Sequence, residues 1–397
     1  MAPGSSAKSD KASSKKQAAS KQKPGNERKP KSRELGTEAT LSSTVPLELQ
    51  QLLLNIFRNS FPERFGPDLA PLLQEVKQHL YNREFGKAFG REDYLEAYAV
   101  RWSPSRALGY LQTFLDIEQY LRRPPSRHHD DAQSLSSESP ETGVGSQKLN
   151  ITCLGGGAGA EIVALAGFLN LHNRGMKQNQ EEDGDHQHAK INGLQLTVKG
   201  VDIANWDTVV QKLHDSIGSP PPLSKYASAA AKAYNTPFLD STFFHTSFHQ
   251  ADLLSTSTES LAALVGDAEL VTLMFTLNEL YTTSLAQTQR FLAALTSTLQ
   301  PGALLLVVDS PGSYSAVTLN GAEKKYPMHW LLDHTLLGSV CGEEASNDGI
   351  RHWEKLATDE SRWFRLPDGL KYPIELENMR YQIHLYRRLS VDWGEEV

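Results

Sequence analysis

A glycine-rich turn between an apolar run and a helix-like run constrains the fold of this chain more than any other feature of its sequence. The segment reads ITCLGGGAGAE over residues 151–161. Glycines at such a turn allow positive φ angles and let a ligand lie directly on the backbone, while the first turn of the following helix offers unpaired amide hydrogens. We therefore expect a nucleotide-like cofactor at this turn.

Three classes of cofactor site use a strand, a glycine-rich turn and a helix in this order. A nucleoside triphosphate site is excluded, because no Lys followed by Ser or Thr comes after the glycines. A dinucleotide site stays open, since Gly155 and Gly157 match its pattern and Ala160 is a tolerated substitute for its third glycine. The turn, which Gly156 and Gly159 complete, is ambiguous between a dinucleotide and S-adenosylmethionine.

Two later segments shift the balance between these cofactors. Asp202 closes the next strand-like run, where a carboxylate can bind both hydroxyls of a ribose in either class of protein. Ala251, Asp252 and Leu253 then stand where class I methyltransferases contact adenine. This second segment favours S-adenosylmethionine.

Polar residues follow the next apolar run, 268–275, in the segment TLNEL at 276–280. Ligands of open α/β sheets bind at the carboxyl ends of strands, and methyltransferases place substrate-facing polar residues there. Asn278 and Glu279 are therefore candidate substrate-facing residues. In this order, the glycine turn and the three later segments favour a methyltransferase.

Short apolar runs alternate with helical stretches from residue 149 onward. Runs typical of strands cover residues 149–154, 194–201, 268–275, 303–308 and 381–386, with helical periodicity at 160–171 and 285–299. This alternation predicts a doubly wound α/β sheet over residues 149–390. Polar stretches at 172–192 and 216–240 are expected to be surface insertions.

The part of the chain before the sheet divides into three segments. Residues 45–122 have helical periodicity and predict an all-helical unit, in which one helix begins at Ser103-Pro104, a favourable cap and first-turn pair. Residues 123–148 lack any periodic pattern and predict a flexible linker. Residues 1–44 are rich in Ser, Lys, Ala and Pro and predict a disordered tail.

The charge of the chain is unevenly distributed. Residues 1–40 carry ten Lys or Arg and four acidic residues, a net charge of +6, which leaves −13 for the remainder of a chain whose total is −7. A basic arm suits contact with nucleic acid or an import receptor, and its simplest alternative is a solubilising tail.

Composition excludes several classes of protein. No apolar run approaches the roughly 18 residues of a membrane helix, and the N-terminus has no hydrophobic signal core. Two cysteines cannot form a disulfide framework and no Cys/His spacing suits zinc, so we expect an intracellular protein without a bound metal.

Several segments resemble the fungal large-subunit ribosomal RNA uridine-N3 methyltransferases. They read YNREFGKAF at 81–89, RWSPSRALGY at 101–110, LGGGAGAEIVALAGFL at 154–169, YPMHWLLDHTLL at 326–337 and SRWFRLPDGLKYPIELENMRYQIHLYRR at 361–388. The resemblance implies a class I methyltransferase fold, Rossmann-like and seven-stranded, with its last strand antiparallel. It also implies S-adenosylmethionine as methyl donor, a cofactor turn on Gly155, Gly157 and Gly159, and a uridine of 25S-type ribosomal RNA as substrate.

A reaction at uridine N3 requires alignment, loss of a proton and access to the pairing edge of the base. Glu279 is the candidate base and Asp309, at the end of the next strand-like run, is its competitor. Asn278 can hold a uracil carbonyl and Tyr281 can stack on the ring. The partner is then ribosomal RNA or a preribosome, and we expect a monomer in the nucleus, its nucleolus, or the cytoplasm.

Arg101, Trp102 and Arg106 precede or begin the predicted helix that leads into the sheet. Such residues can line the mouth of the cofactor site or contact RNA phosphates and bases. A structural Trp with two surface arginines is the simpler interpretation.

Three other functions remain open from the sequence. They are a methyltransferase for a protein or a small molecule, a non-catalytic S-adenosylmethionine-binding factor in ribosome assembly, and a dinucleotide oxidoreductase.

Overall fold

The computed structural model of the protein describes residues 33–34, 45–121, 147–182, 193–312, 314–319, 322–338 and 351–390. The expectations of a disordered tail and a flexible linker concern residues that, apart from 33–34 and 147–148, lie outside this part of the chain. The helices are α1 (Leu47–Ser60), α2 (Leu69–Tyr81), α3 (Phe85–Ala88), α4 (Glu92–Leu121), α5 (Ala160–Glu182), α6 (Asp207–Gly218), α7 (Ala229–Ala233), α8 (Thr258–Val265), α9 (Leu277–Thr283), α10 (Leu285–Thr298) and α11 (Met328–Leu337). The strands are β1 (Arg33–Glu34), β2 (Lys148–Leu154), β3 (Gln195–Asp202), β4 (Phe244–Gln250), β5 (Leu270–Met274), β6 (Leu304–Asp309), β7 (Tyr314–Leu319), β8 (Ala322–Pro327), β9 (Trp353–Phe364) and β10 (Met379–Arg388).

One mixed sheet has the order β4-β3-β2-β5-β6-β10-β9-β1, and β7 pairs separately with β8. Strands β2 to β6 are parallel, whereas β10 runs antiparallel to both β6 and β9. The chain proceeds from β2 outward to β4 and then returns to β5 beside β2. The prediction of a doubly wound sheet with an antiparallel last strand is confirmed, and the switch point lies between β2 and β5.

Helices cover both faces of this sheet. One apolar core joins α1, α4, α5 and α6 to the sheet, and a second core lies under α8 to α11. Gly167 of α5 shows how closely the N-terminal helices approach, because a Cβ there would lie 3.0 Å from the Leu53 side chain and 3.1 Å from the Leu111 side chain. The helices of residues 45–121 therefore share their core with the sheet.

The predicted helix start at Ser103-Pro104 is wrong. Helix α4 is continuous through Pro104, and the Ser103 hydroxyl donates to the Ala158 carbonyl (2.7 Å) instead of capping a helix. A proline within a helix removes the hydrogen bond to the carbonyl four residues earlier, here that of Val100. The Tyr372 hydroxyl donates to that carbonyl instead (3.0 Å), so a distant residue supplies the donor that the proline lacks.

Periodicity also missed part of the sheet and misjudged one boundary. Strand β4 has the sequence FHTSFHQ and β9 the sequence WEKLATDESRWF, and neither has the apolar run that marks a central strand. Helix α5 continues to Glu182, well into the stretch 172–192 that was expected to be an insertion. The other predicted insertion, 216–240, begins in the last turn of α6 and contains only the short helix α7.

Across the described residues, no helix combines the length and apolar character needed to cross a membrane.

Candidate active site

The glycine turn connects β2 to α5 at the carboxyl edge of the sheet. Gly155 and Gly159 have φ angles of +80° and +79°, in the left-handed region that glycine adopts at no steric cost. The Gly155 amide donates to the Val201 carbonyl at 2.7 Å, which joins the turn to the end of β3. The turn is therefore fixed against the neighbouring strand.

The glycines are packed under protein side chains to a greater degree than the sequence suggested. A Cβ at Gly155 would lie 2.1 Å from Thr276 Oγ1, and one at Gly157 would lie 2.1 Å from the Trp206 ring. At Gly156 the nearest side-chain atoms are Cys153 Cβ and Glu161 Oε2, both at 2.6 Å, and at Gly159 it is Leu213 Cδ1 at 2.1 Å. A side chain at any of these four positions would therefore displace packed protein atoms before it reached a ligand.

Asp202 lies at the carboxyl end of β3, beside the glycine turn. Its Oδ2 accepts from the Gly157 amide at 3.3 Å and its Oδ1 accepts from the Ala204 amide at 3.2 Å. Burial raises the pKa of this carboxyl, and the two amides oppose that rise. The carboxylate is therefore held in one orientation next to the turn, as a ribose acceptor requires.

The predicted adenine segment lies next to Asp202, but its residues are already engaged. The Ala251 amide donates to the Asp202 carbonyl at 2.9 Å. The Asp252 carboxylate accepts from the Leu254 amide (3.0 Å) and the Ser255 hydroxyl (2.9 Å), and so caps its own turn. Leu253 is buried in the core under α8 to α11. The segment thus lies beside Asp202, and its contact with adenine stays a prediction, while Asp252 has a structural role as the acceptor within its own turn.

Three features around the turn fit S-adenosylmethionine. Ile203, the residue after Asp202, keeps 58% of its surface exposed and offers an apolar face. The Trp206 indole nitrogen is buried and faces the Asp202 carboxylate, whose pKa it lowers, so it helps to hold the carboxylate that would bind ribose. The Arg106 guanidinium lies near the buried Glu161 and Asp309, and its charge suits an anionic ligand group.

Glu161 lies beneath the turn, where Thr272 donates to its carboxylate. Burial raises the pKa of this carboxyl to about 7. Glu161 therefore lies under the glycine turn, between Gly156 and Thr272 of β5.

The two candidate bases occupy different environments. Asp309 is buried at the end of β6, where Oδ2 accepts from the Asn278 amide (2.9 Å) and Oδ1 from the Ser310 amide (2.7 Å). Burial raises the pKa of its carboxyl to about 6. Asp309 thereby fixes the first turn of α9, which carries Asn278 and Glu279.

Glu279 reaches solvent at the first turn of α9. Its side chain keeps 42% of its surface exposed, and Oε2 lies 3.8 Å from the Arg83 guanidinium. Oε2 has no hydrogen-bond donor among the described residues. This oxygen is itself buried against Arg83, so what distinguishes Glu279 from Asp309 is that its side chain is 42% exposed and accepts no backbone amide of the described chain.

The expectation that Tyr281 stacks on a substrate ring is wrong. Tyr281 is only 3% exposed and packs in the core under α8 to α11, because α9 turns that residue toward the sheet. Burial raises the pKa of its hydroxyl to about 12.

The segment RWSPSR lies on α4 and covers the edge of the site. Arg106 donates to the Tyr98 hydroxyl (2.9 Å), and its guanidinium carbon lies 5.0 Å from the Phe275 ring centre. The Trp102 ring packs against Tyr98 at 4.7 Å. Arg101 forms an ion pair with Glu377, so its charge is balanced within the protein. Arg106 and Trp102 thus line the site, while Arg101 does not face open solvent as a phosphate contact would.

Sequence reasoning missed an aromatic cluster next to the turn. Trp206 contacts Phe89 (5.4 Å) and Tyr98 (5.8 Å), and Phe275 adopts a φ of +57°, a strained value for a bulky residue. Aromatic residues recur in the segments 81–89 and 94–102, which was the available signal. Among the described residues, no three His, Cys, Asp or Glu side chains form a group suited to a metal ion.

The fold and the site together define a class I methyltransferase. The sheet is parallel except for its antiparallel last strand, a glycine turn follows β2, and the carboxylate of Asp202 lies at the end of β3. The chain belongs to the family described as putative SAM-dependent methyltransferases, whose model matches residues 57–387, and S-adenosylmethionine is its cofactor. The chain is also 32% identical over 352 residues to the 25S rRNA (uridine(2843)-N(3))-methyltransferase of Saccharomyces cerevisiae, covering 87% of this chain and 86% of that protein.

Solved structures of methyltransferases are more distantly similar. A SAM-dependent methyltransferase from Methanosarcina mazei is 11% identical with a TM-score of 0.31, covering 64% of this chain and 99% of that one. An O-methyltransferase family protein from Burkholderia thailandensis is 12% identical with a TM-score of 0.33, covering 86% of this chain and 73% of that one.

Proposed function

We propose that this protein transfers a methyl group from S-adenosylmethionine to N3 of a uridine in large-subunit ribosomal RNA. The observation that carries the proposal is the similarity to the yeast 25S rRNA uridine-N3 methyltransferase, which extends over 87% of the chain. The family model, which matches residues 57–387, takes in most of the N-terminal helices and the C-terminal strands as well as the cofactor turn. The cofactor supplies an electrophilic methyl group on a sulfonium.

The chemistry at N3 assigns a clear task to the protein. A bond forms between N3 and the methyl carbon, the carbon–sulfur bond breaks with its electron pair passing to sulfur, and the N3 proton leaves to a base. A positioned carboxylate within hydrogen-bond reach accelerates such a step by typically 10² to 10⁴. Glu279 is our candidate for this base, because its side chain is 42% exposed at this edge, whereas both oxygens of Asp309 already accept backbone amides.

Asp309 and Asn278 support that candidate. Asp309 holds the Asn278 amide, which fixes the start of α9 and so the direction in which Glu279 projects. The half-buried Asn278 lies at the same edge, where its side-chain amide can donate to a uracil carbonyl. In this proposal Asp309 positions helix α9, and Glu279 accepts the proton from uridine N3.

The N3 atom lies on the pairing edge of uracil, so the target uridine must be unpaired or flipped out of a helix. We propose ribosomal RNA or a preribosome as the partner and a monomer as the active form. We propose that the protein acts in the nucleus, its nucleolus, or the cytoplasm, where ribosomal RNA is made and assembled, and the basic N-terminal segment suits either RNA or an import receptor.

The test is a measurement of methylated nucleosides in ribosomal RNA. Cells lacking this chain are expected to lose one 3-methyluridine from large-subunit RNA, measured by mass spectrometry of digested nucleosides. The wild-type chain should restore it and an Asp202→Ala chain should not. An unchanged amount of 3-methyluridine in cells lacking the chain would overturn the proposal and favour a different methyl acceptor.

A further inference from the structure

Trp363 presents an exposed indole at the carboxyl edge of the sheet. It keeps 51% of its surface exposed and pairs across the strands with Arg380. Two residues further along β10, Gln382 pairs with Asp309 at the end of β6. Because β10 runs antiparallel to β6, its first residues lie at the edge where Asp309 and α9 meet. Trp363 therefore lies at the same edge as the candidate active site.

Two guanidinium groups flank this indole. The guanidinium carbon of Arg365 lies 5.1 Å from the ring centre of Trp363, and that of Arg380 lies 5.7 Å from it. Arg380 is held in place by two hydrogen bonds to the Ser361 hydroxyl, of 2.9 and 2.7 Å. The group of Trp363, Arg365 and Arg380 is called the Trp363 platform below.

The charges of the platform are not balanced by any carboxylate in the part of the chain that the structure describes. No carboxylate of the described chain lies within 4.0 Å of Arg365 or Arg380, although both are exposed. Arg362, the residue before Trp363 on β9, behaves differently, because it forms ion pairs with Asp116 and Asp359. The two guanidinium groups can bind anionic groups, and the exposed indole can stack on a flat ring. The platform therefore suits an anionic ligand that carries flat rings.

A second exposed indole provides a contrast. Trp330 on α11 is 46% exposed, but its ring stacks on Tyr326 (4.8 Å) and on His334 (5.3 Å). No arginine of the described chain lies over the Trp330 ring. Exposure of a Trp is therefore not by itself the feature that distinguishes the platform.

We propose that the Trp363 platform binds a single-stranded RNA segment beside the target uridine, with a base stacked on the indole and phosphates at the two arginines. This inference rests on the proposed function and names a further part of its RNA site. Proteins that bind single strands combine aromatic rings for bases with cations for phosphates. Strand β9 is two strands from β6, or about 10 Å, a distance that about three stacked nucleotides span.

The experiment measures binding of a fluorescent oligouridylate of about 10 nucleotides, a length within the usual range for single-strand sites. Trp363→Ala should weaken binding about 5- to 150-fold, and Trp363→Phe should retain most of the affinity. Combined Arg365→Gln and Arg380→Gln should lower the slope of log affinity against log salt by about 0.7 for each cation removed. Binding of S-adenosylhomocysteine, measured by calorimetry, should be unchanged in every variant.

Two variants serve as matched controls. Arg387→Gln changes an arginine that lies on β10, as Arg380 does, but at the opposite end of the strand from the candidate active site. Arg387 pairs there with Leu304 and lies near Glu354. Trp330→Ala removes the other exposed indole. Both should bind the oligonucleotide as the wild type does, and a loss in Trp330→Ala equal to that in Trp363→Ala would overturn a specific platform.

The outcomes separate the platform from the proposed function. If the wild type methylates ribosomal RNA while the platform variants bind the oligonucleotide normally, the platform is overturned and the function stands. If the wild type neither binds the oligonucleotide nor methylates ribosomal RNA, both fail. Weakened binding in the platform variants with unchanged cofactor affinity supports the platform.

Discussion

The hydroxyl of Tyr372 donates a 3.0 Å hydrogen bond to the carbonyl of Val100, four residues before Pro104. The two residues are 272 positions apart in the chain, and the bond supplies the partner that proline cannot provide within helix α4. The same helix carries Tyr98, Trp102 and Arg106 at the edge of the cofactor site. The loop that leads into β10 therefore helps to hold the wall of that site.

We expect Tyr372→Phe to destabilise the protein by about 1–2 kcal/mol. The substitution keeps the ring contact with Phe65 (5.5 Å) but leaves a buried carbonyl without a donor. Urea unfolding should show a lower midpoint at an unchanged slope. Tyr226→Phe is the control, because that side chain is 84% exposed, and its effect should stay within about 0.5 kcal/mol. Equal midpoints for the wild type and Tyr372→Phe would show that this bond contributes nothing.

Gly157→Ala should destabilise the folded protein before any ligand is considered. The new Cβ would lie 2.1 Å from the buried Trp206 ring, and overpacking of this kind typically costs about 1–3 kcal/mol. Gly86→Ala is the matched control, since no atom lies within 4 Å of a Cβ there. The measurement is urea unfolding of both variants without cofactor, and normal stability of Gly157→Ala would mean that the indole moves aside freely.

Asp202→Ala should weaken binding of S-adenosylhomocysteine at least about 30-fold. Removing a buried charged partner from a complex costs about 2–5 kcal/mol, and each 1.4 kcal/mol is a factor of about ten. Asp202→Asn retains an oxygen for the Gly157 or Ala204 amide, so the difference between the two variants separates ribose binding from support of the turn. Calorimetry gives the affinities, with Asp215→Ala as a surface control. Native affinity in both Asp202 variants would remove this residue from the cofactor site.

Glu279→Gln should lower kcat for RNA methylation by at least about 100-fold while leaving cofactor affinity intact, as loss of a general base would. Glu259→Gln is the matched control, because Glu259 also lies in the first turn of a helix but outside the site. Asp309→Asn should mainly lower stability, since one of its two backbone hydrogen bonds is lost. Full activity of Glu279→Gln, with loss of activity in a folded Asp309→Asn protein, would reverse the two roles.

The stability of the protein should depend on pH through Glu161. Burial raises the pKa of its carboxyl from 4.5 to about 7, so between these values the folded state holds a proton that the unfolded state has lost. Stability from this group is therefore fully present below pH 4.5 and is lost as pH rises through 7, by about 3 kcal/mol in total. Glu161→Gln should lack this decrease. The difference in unfolding free energy between wild type and variant, measured from pH 4 to 8, should be flat at both ends, and a constant difference throughout would show that Glu161 does not titrate.

Local sequence determined the elements that depend on short-range chemistry. The glycines at 155 and 159 adopt positive φ because the turn between β2 and α5 demands it, and Asp202 lies where the end of β3 meets that turn. Alternating apolar runs predicted the central parallel strands, since a strand buried on both faces must be apolar throughout. These features, together with the resemblance of long segments to a known methyltransferase family, were sufficient to predict the class of fold and the cofactor.

Tertiary structure decided which of the predicted site residues are accessible. Tyr281 points into the core, Arg101 meets Glu377 and Asp309 caps α9, and none of these outcomes follows from the neighbours of these residues in sequence. The polar strands β4 and β9 were missed because, among the described strands, β4 is the edge strand at one side of the sheet, and β9 at the other side pairs beyond β10 only with the two residues of β1, so neither needs a continuous apolar run. Helix α4 passes through Pro104 with Tyr372 supplying the donor to the Val100 carbonyl that the proline lacks, and a contact over that distance in sequence has no local signature.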